Sequence, residues 1–235
     1  MSEISDVVDL VLVLAGNIAD SPDDEQRANY KTYGLTVVDR LLRTFPTEPN
    51  LHYARGYLLY STAVALQESL QPALLSLTNA LSWKPDHQFA RFYRAAARFL
   101  ENDYRAVLED LNALDYQYFT DIDLRWRAVK GMELSACCYG YLGQAEDFQR
   151  SVRLLCRELA FRPDEDDLIE PNELAKCLLA VHLDGSLDGV EVPLAREVEN
   201  CISQNDWPTL PALTAIRDIS VDPGSCHSRL SAGDQ

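Results

Sequence analysis

Leu81-Ser82-Trp83-Lys84-Pro85-Asp86 and Leu159-Ala160-Phe161-Arg162-Pro163-Asp164 decide how the chain is read. Both run Leu, small residue, aromatic, base, Pro, Asp, and they lie 78 positions apart. A shorter relative, Leu42-Arg43-Thr44-Phe45-Pro46, sets its Pro 39 positions before Pro85, half of that spacing. Recurrence at a fixed period of this size marks a helical repeat array. Each phrase is expected to end the second helix of a unit. Leu81 with Trp83, and Leu159 with Phe161, are expected to seal that helix against the next unit.

Composition agrees with a helical, globular chain. The 235 residues are 47% hydrophobic and 25% charged, with only 10 Gly, while Leu and Ala are abundant. That balance favours helix over turn-rich β structure. Formal net charge is -16, which repels phosphates and anionic lipid headgroups and so disfavours nucleic-acid or membrane-surface roles. The six cysteines, Cys137, Cys138, Cys156, Cys177, Cys201 and Cys226, form no C-x-x-C and no zinc-ligand spacing. They read as small buried apolar residues in a reducing compartment, with a disulfide or a reactive thiol as the rival reading. The opening Met1-Ser2-Glu3-Ile4 lacks the basic start of a signal peptide, and Val7–Ala15 is too short to span a bilayer. A cytoplasmic location is expected.

Taken in order, residues 4–18 read as a helix whose apolar face is wide, with a strand as the rival reading because of its β-branched residues. The width implies cover on more than one side, or a partner. Ser21-Pro22-Asp23 predicts a helix start with Ser21 as cap, running to about Arg43, with Pro46 and Pro49 turning the chain. Pairs of helices follow at 50–66 with 70–82, 87–100 with 103–114, and 121–141 with 144–161. Asn102-Asp103 and Leu142-Gly143 are the tight joints. Asp115–Thr120 closes the middle unit without a Pro, the least secure boundary. An acidic loop at 164–170, a helix from Pro171 to Asp184, and a shorter pair at 193–203 and 207–218 complete the reading, the pair joined at Asn205-Asp206-Trp207. Four regions result: 1–49, an N-terminal helical pair; 50–164, the repeat array; 165–220, helices capping the array; and 221–235, a disordered tail.

The pairs resemble tetratricopeptide repeats. Gly56, Ala95 and Ala136 match the family's small position in the first helix, where the two helices touch. Gly143-Gln144-Ala145-Glu146-Asp147-Phe148 and Asn102-Asp103-Tyr104 are similar to its inter-helix turn, and Pro85 and Pro163 to its closing Pro. The departures are a spacing nearer 39 than the family's 34, and Val107 and Phe148 where the second helix would carry Ala. The resemblance implies an all-α fold, a right-handed stack of antiparallel helix hairpins forming an α-solenoid of about ten to eleven helices. It also implies that first helices line a concave groove.

Catalytic signatures are not found. The chain has no phosphate-binding glycine loop, no dinucleotide fingerprint, no H-E-x-x-H and no G-x-S-x-G. His52, His87, His182 and His227 are scattered singly. Asp164–Asp167 with Glu170 and Glu173 lacks the Gly that a calcium loop needs at its sixth position. Glu133, Glu146 and Asp147 are carboxylates that nothing in the sequence brings into one pocket. Tyr53, Tyr57 and Tyr60 share a helix face and read as core between stacked pairs. No cofactor and no metal are expected.

The basic residues are more informative. First helices carry them: Arg55, then Arg91, Arg94 and Arg98 at i, i+3 and i+7, then Arg125, Arg127 and Lys130. In a groove such forks would hold the carboxylates of a bound peptide. The plainer reading is that they are solvated or pair with acids such as Glu101, Asp103, Asp121 and Asp123. A non-catalytic adaptor or scaffold that binds a protein or peptide partner is the first expectation. An acidic, immunity-type protein that neutralises a basic toxin or enzyme is the alternative, and an enzyme is the third. The sequence sets neither the partner nor an oligomeric state.

Overall fold

The computed structural model describes residues 2–160, 171–187, 189–204 and 210–221. Among them the fold is all-α, with twelve helices and no strand. The chain divides into two units at Asp115/Tyr116, inside the stretch expected to form one array and at its least secure boundary.

The first unit contains α1 (Ser2–Asp20), α2 (Asp24–Thr44), α3 (Pro49–Leu66), α4 (Gln71–Trp83), α5 (Gln88–Leu100) and α6 (Tyr104–Asn112). Helix α1 packs on both α2 and α3, which accounts for its wide apolar face. Val11, Leu14, Ala15 and Ile18 meet Val38, Leu51 and Leu58 there. Each neighbour packs on the next, and α3 also touches α5 across the intervening helix. Short joints fold the pairs back on themselves. Gln67 and Asn102 take positive φ (54° and 60°) at two of these joints. The small residue expected at 56 is required, because a Cβ on Gly56 would lie 2.7 Å from Leu77 Cγ in α4.

The second unit contains α7 (Tyr116–Asp121), α8 (Arg125–Tyr141), α9 (Ala145–Ala160), α10 (Asn172–Asp184), α11 (Glu191–Gln204) and α12 (Pro211–Val221). Contacts run α7 to α8, α8 to α9 and α10, α9 to α11, and among α10, α11 and α12. Buried Phe148, Val152 and Leu155 line the inner side of α9. Gly140 allows close approach to α10 and α9, since its Cβ would meet Cys177 Sγ at 2.8 Å and Phe148 Cε2 at 3.1 Å.

Several expectations need correction. The cap of α2 is Asp23, whose carboxylate accepts from the Glu25 N–H at 3.0 Å. Ser21 lies inside, its hydroxyl accepting the Asp23 N–H at 3.3 Å and donating to Gln26 Oε1 at 2.9 Å. Pro49 does not turn the chain but opens α3, where a missing N–H costs nothing. The helix read over 121–141 breaks at Ile122–Leu124, with Asp123 at φ 58°, and one short helix, α7, was not anticipated. Twelve described helices therefore stand where ten to eleven were expected. Leu81 is buried, but Trp83 is 55% exposed and seals nothing. Phe161-Arg162-Pro163, the acidic loop at 164–170, the joint at 205–207 and the tail from 222 onward lie outside the described residues.

Candidate functional site

The three arginines of α5 converge on one carboxylate. Helical spacing puts Arg91, Arg94 and Arg98 on one side of α5, while Phe92, Tyr93 and Ala97 occupy its buried remainder. That side meets Asp110, which sits in the apolar stripe of α6 between Val107 and Leu111 and is almost wholly buried. Arg94 grips it with two bonds, Nη2 to Oδ1 at 2.5 Å and Nε to Oδ2 at 3.0 Å. Arg98 Nη1 donates to Oδ2 at 2.8 Å and to the Ala106 carbonyl at 3.1 Å. Arg91 stands off at 4.0 Å, donates to the Pro85 carbonyl, and leaves its buried Nε without an acceptor. A buried carboxylate needs such partners, because an isolated charge there would be costly. Three guanidinium charges meet one carboxylate, so the cluster carries two positive charges that Asp110 does not balance.

Arg55 repeats part of this pattern 39 positions earlier. Its Nε donates to Asp39 of α2 at 2.8 Å and its Nη1 to Ser76 of α4 at 2.7 Å. Arg94 likewise bridges Asp110 of α6 to Thr78 of α4. Both arginines tie a first helix to its flanking helices, and none of their partners is an acid named from sequence.

In the second unit the expected residues are each held separately. Arg125 donates to the Glu158 carbonyl, with its carboxylate at 3.4 Å. Arg127 lies 4.2 Å above the Trp126 ring, within cation–π range. Lys130 donates to Glu133 Oε2 at 2.6 Å. Glu133 is buried and its other oxygen accepts the N–H groups of Glu173 and Leu174 at 2.8 and 3.0 Å. It thus caps α10 from another helix and satisfies donors that the start of a helix leaves open. That engagement separates Glu133 from the acid–base pairing considered for it.

The tyrosine face packs between helix pairs, with Tyr53 buried and Tyr57 and Tyr60 half-buried. Tyr57 and Tyr60 of α3 stand 4.3 and 5.5 Å from Tyr93 of α5, and Tyr53 stands 5.7 Å from Phe89. Burial pushes the Tyr60 hydroxyl up to about 12. His87 begins α5 as its cap, and burial followed by the nearby Lys84 cation lowers it to about 4. No group of three or more His, Cys, Asp or Glu among the described residues is placed to hold a metal ion. A hollow of about 520 Å³ lies over α9, lined by Glu146, Gln149, Arg150, Arg153, Leu154 and Arg157. Arg150 pairs there with Asp147 and Arg153 with Glu197 of α11.

Sequence reasoning missed Asp110, and it named Glu133 without finding its role as a cap for α10. The signal was present in both cases, a carboxylate at an inward position of an apolar stripe. No protein-family model, no curated protein and no solved structure matches the chain. No described helix is long and apolar enough to cross a membrane.

Proposed function

We propose that the chain is a non-catalytic protein–protein interaction module, an adaptor or scaffold built as a tetratricopeptide-like α-solenoid. Its partner is a protein or peptide that presents carboxylates. The reading is supported by successive helix pairs in which α3 touches α5 and α8 touches α10, the contacts that stacked hairpins make. The observation that carries it is the excess of guanidinium over carboxylate at Arg91, Arg94, Arg98 and Asp110. Arg94 is spent on Asp110. Arg91 reaches Asp110 only at 4.0 Å and Arg98 engages it through Nη1 alone, so the solvent-facing edges of these two guanidinium groups are where an acidic segment would dock. The five cysteines among the described residues are free, which supports a reducing, cytoplasmic setting.

The test uses the whole chain and fluorescent peptides of matched length, one acidic and one basic. Reversal of Arg94 is a poor probe, because stranding a buried partner costs about 3–5 kcal/mol and would unfold the site. Arg91→Gln with Arg98→Gln leaves the two-bond Arg94–Asp110 grip in place. The acidic peptide should bind the native chain and weaken about tenfold or more on the double variant, with a shallower salt dependence. Equal affinity for both peptides, or no change on the double variant, removes the reading.

A further inference from the structure

The second unit holds two pairs of thiols, each spanning two helices. Cys177 of α10 sets its Sγ 3.6 Å from the Cys137 carbonyl oxygen of α8. Cys201 of α11 sets its Sγ 3.6 Å from the Cys156 carbonyl oxygen of α9. In both pairs the thiols also hydrogen-bond one another. The backbone approach is alike, so the surroundings decide the chemistry.

Cys137 and Cys177 are wholly buried. Burial, the Cys177 thiol and the Glu133 carboxylate all push the Cys137 thiol well up. Cys138, beside them, is also raised by burial, to about 12. Cys137 and Cys138 therefore stay protonated, and burial shields all three sulfurs, which makes them inert. Cys156 is half-buried rather than buried, and so opens its pair to solvent. Its thiol donates to the Cys201 sulfur, which holds Cys201 below the usual thiol range and Cys156 above it. The Arg153–Glu197 pair forms the adjoining rung between the same two helices, one turn away on each. That rung keeps the α9 and α11 faces together.

We propose that Cys156 and Cys201 are a peroxide-responsive dithiol that closes reversibly into a disulfide, locking α9 to α11. The Cys201 thiolate attacks one oxygen of hydrogen peroxide. An S–O bond forms, the O–O bond breaks, and the departing hydroxide takes a proton to become water. The Cys156 sulfur then displaces hydroxide from the sulfenic acid of Cys201. An S–S bond forms, and the Cys156 proton leaves in the second water. Two thiols are oxidised and one peroxide is reduced to two waters. Thiol reductants of the dithiothreitol class reverse the bond by exchange. The new bond closes a segment that contains all of α10, so the arginine-lined hollow on α9 becomes fixed relative to α11.

The experiment treats the full-length chain with hydrogen peroxide, at levels that oxidise a free-thiol control peptide. Remaining thiols are then alkylated, before and after unfolding, and the peptides are mapped by mass spectrometry. A chain carrying Cys226→Ser is run alongside to remove pairing with that thiol. The expected result is a dithiothreitol-reversible peptide joining Cys156 to Cys201 and a mass loss of two hydrogens. Cys137, Cys138 and Cys177 should alkylate only after unfolding. In Cys156→Ser, which keeps a hydroxyl donor, Cys201 should instead yield a sulfenic acid trapped by dimedone. Full alkylation of Cys156 and Cys201 after peroxide overturns the proposal. So does a dominant link from either residue to another cysteine or to a second chain.

Discussion

His87 shows how one buried imidazole sets a pH response. It follows Pro85-Asp86, where Asp would be the ordinary capping residue, yet the ring does the capping. Its Nδ1 accepts the Ala90 N–H at 3.2 Å, so Nε2 carries the proton and donates to Asn50 Oδ1, also at 3.2 Å. The ring centre lies 4.9 Å from Tyr53. Protonation would destroy the cap and place a charge in an apolar setting, and burial, reinforced by Lys84, lowers the group from 6.5 to about 4. Between those values the unfolded chain binds a proton that the folded chain refuses. The contribution to stability is therefore complete above pH 6.5, falls as pH drops toward 4, and is constant below that. Its full size is on the order of 3 kcal/mol. Other carboxylates titrate in the lower part of this window, so the comparison is with His87→Asn, which caps without titrating. Urea denaturation from pH 7.5 to 4.5 should show the native chain losing stability faster than the variant. Parallel profiles would disprove the assignment. The histidine was visible in sequence only as a lone, unassigned residue. Asp110 was legible in principle, because its neighbours Val107 and Leu111 define an inward face. It went unread because the acids next to the arginines in sequence drew the pairing instead.

At the scale of elements, close approach of helices separates glycines that are required from those that are not. In α3, a Cβ on Gly56 would lie 2.7 and 2.8 Å from Leu77 Cγ and Cδ2, and 3.1 Å from the Leu77 backbone nitrogen. Leu77 is itself buried, so neither the side chain nor the backbone has room to yield. Gly56→Ala should lower stability by about 1–3 kcal/mol through overpacking, although alanine alone favours helix by nearly 1 kcal/mol. Gly16 in α1 has nothing within 4 Å of its Cβ position, so Gly16→Ala should raise stability by about 0.5–1 kcal/mol. Urea midpoints of the two variants should move in opposite directions, and movement in the same direction would remove the argument. The small position at 56 was legible through the resemblance to tetratricopeptide repeats, which implies a small residue where paired helices touch. Most helix bodies were legible through periodicity, since ten or more residues leave room for an apolar stripe. Helix α7 was not, because six residues with Phe119 alone buried carry no period. The break before α8 was hidden as well, because Asp123 takes a positive φ without the Gly that announces one. Trp83 was misread because a large aromatic at a helix end suggests a seal. Here Lys84, Pro85 and Asp86 beside it are all exposed, so the chain leaves the core before the ring can enter it.

Over the whole molecule, two electrostatic effects of opposite sign compete, and their ranges decide which wins. The formal charge of -16 makes acidic groups repel one another throughout the fold, and unfolding relieves this by spreading them apart. Against it stand ion pairs such as Lys31–Glu68 at 2.5 Å, Arg55–Asp39 at 2.8 Å and Arg94–Asp110 at 2.5 Å. The screening length falls from about 30 Å at 0.01 M salt to about 8 Å at 0.15 M. Repulsion between distant acids acts across that interval and is lost within it. The pairs sit far inside 8 Å, and the Asp110 cluster is shielded by burial too, so they lose much less. Exposed pairs contribute only about 0–1 kcal/mol each even before screening. Sodium chloride added from 0.01 to 0.15 M at pH 7 should therefore stabilise the protein, raising the Tm of each resolved unfolding transition. The Arg91→Gln and Arg98→Gln chain carries two more units of net negative charge and should show the larger rise. A Tm that falls with salt would mean that ion pairs, rather than net charge, dominate the electrostatics of this fold.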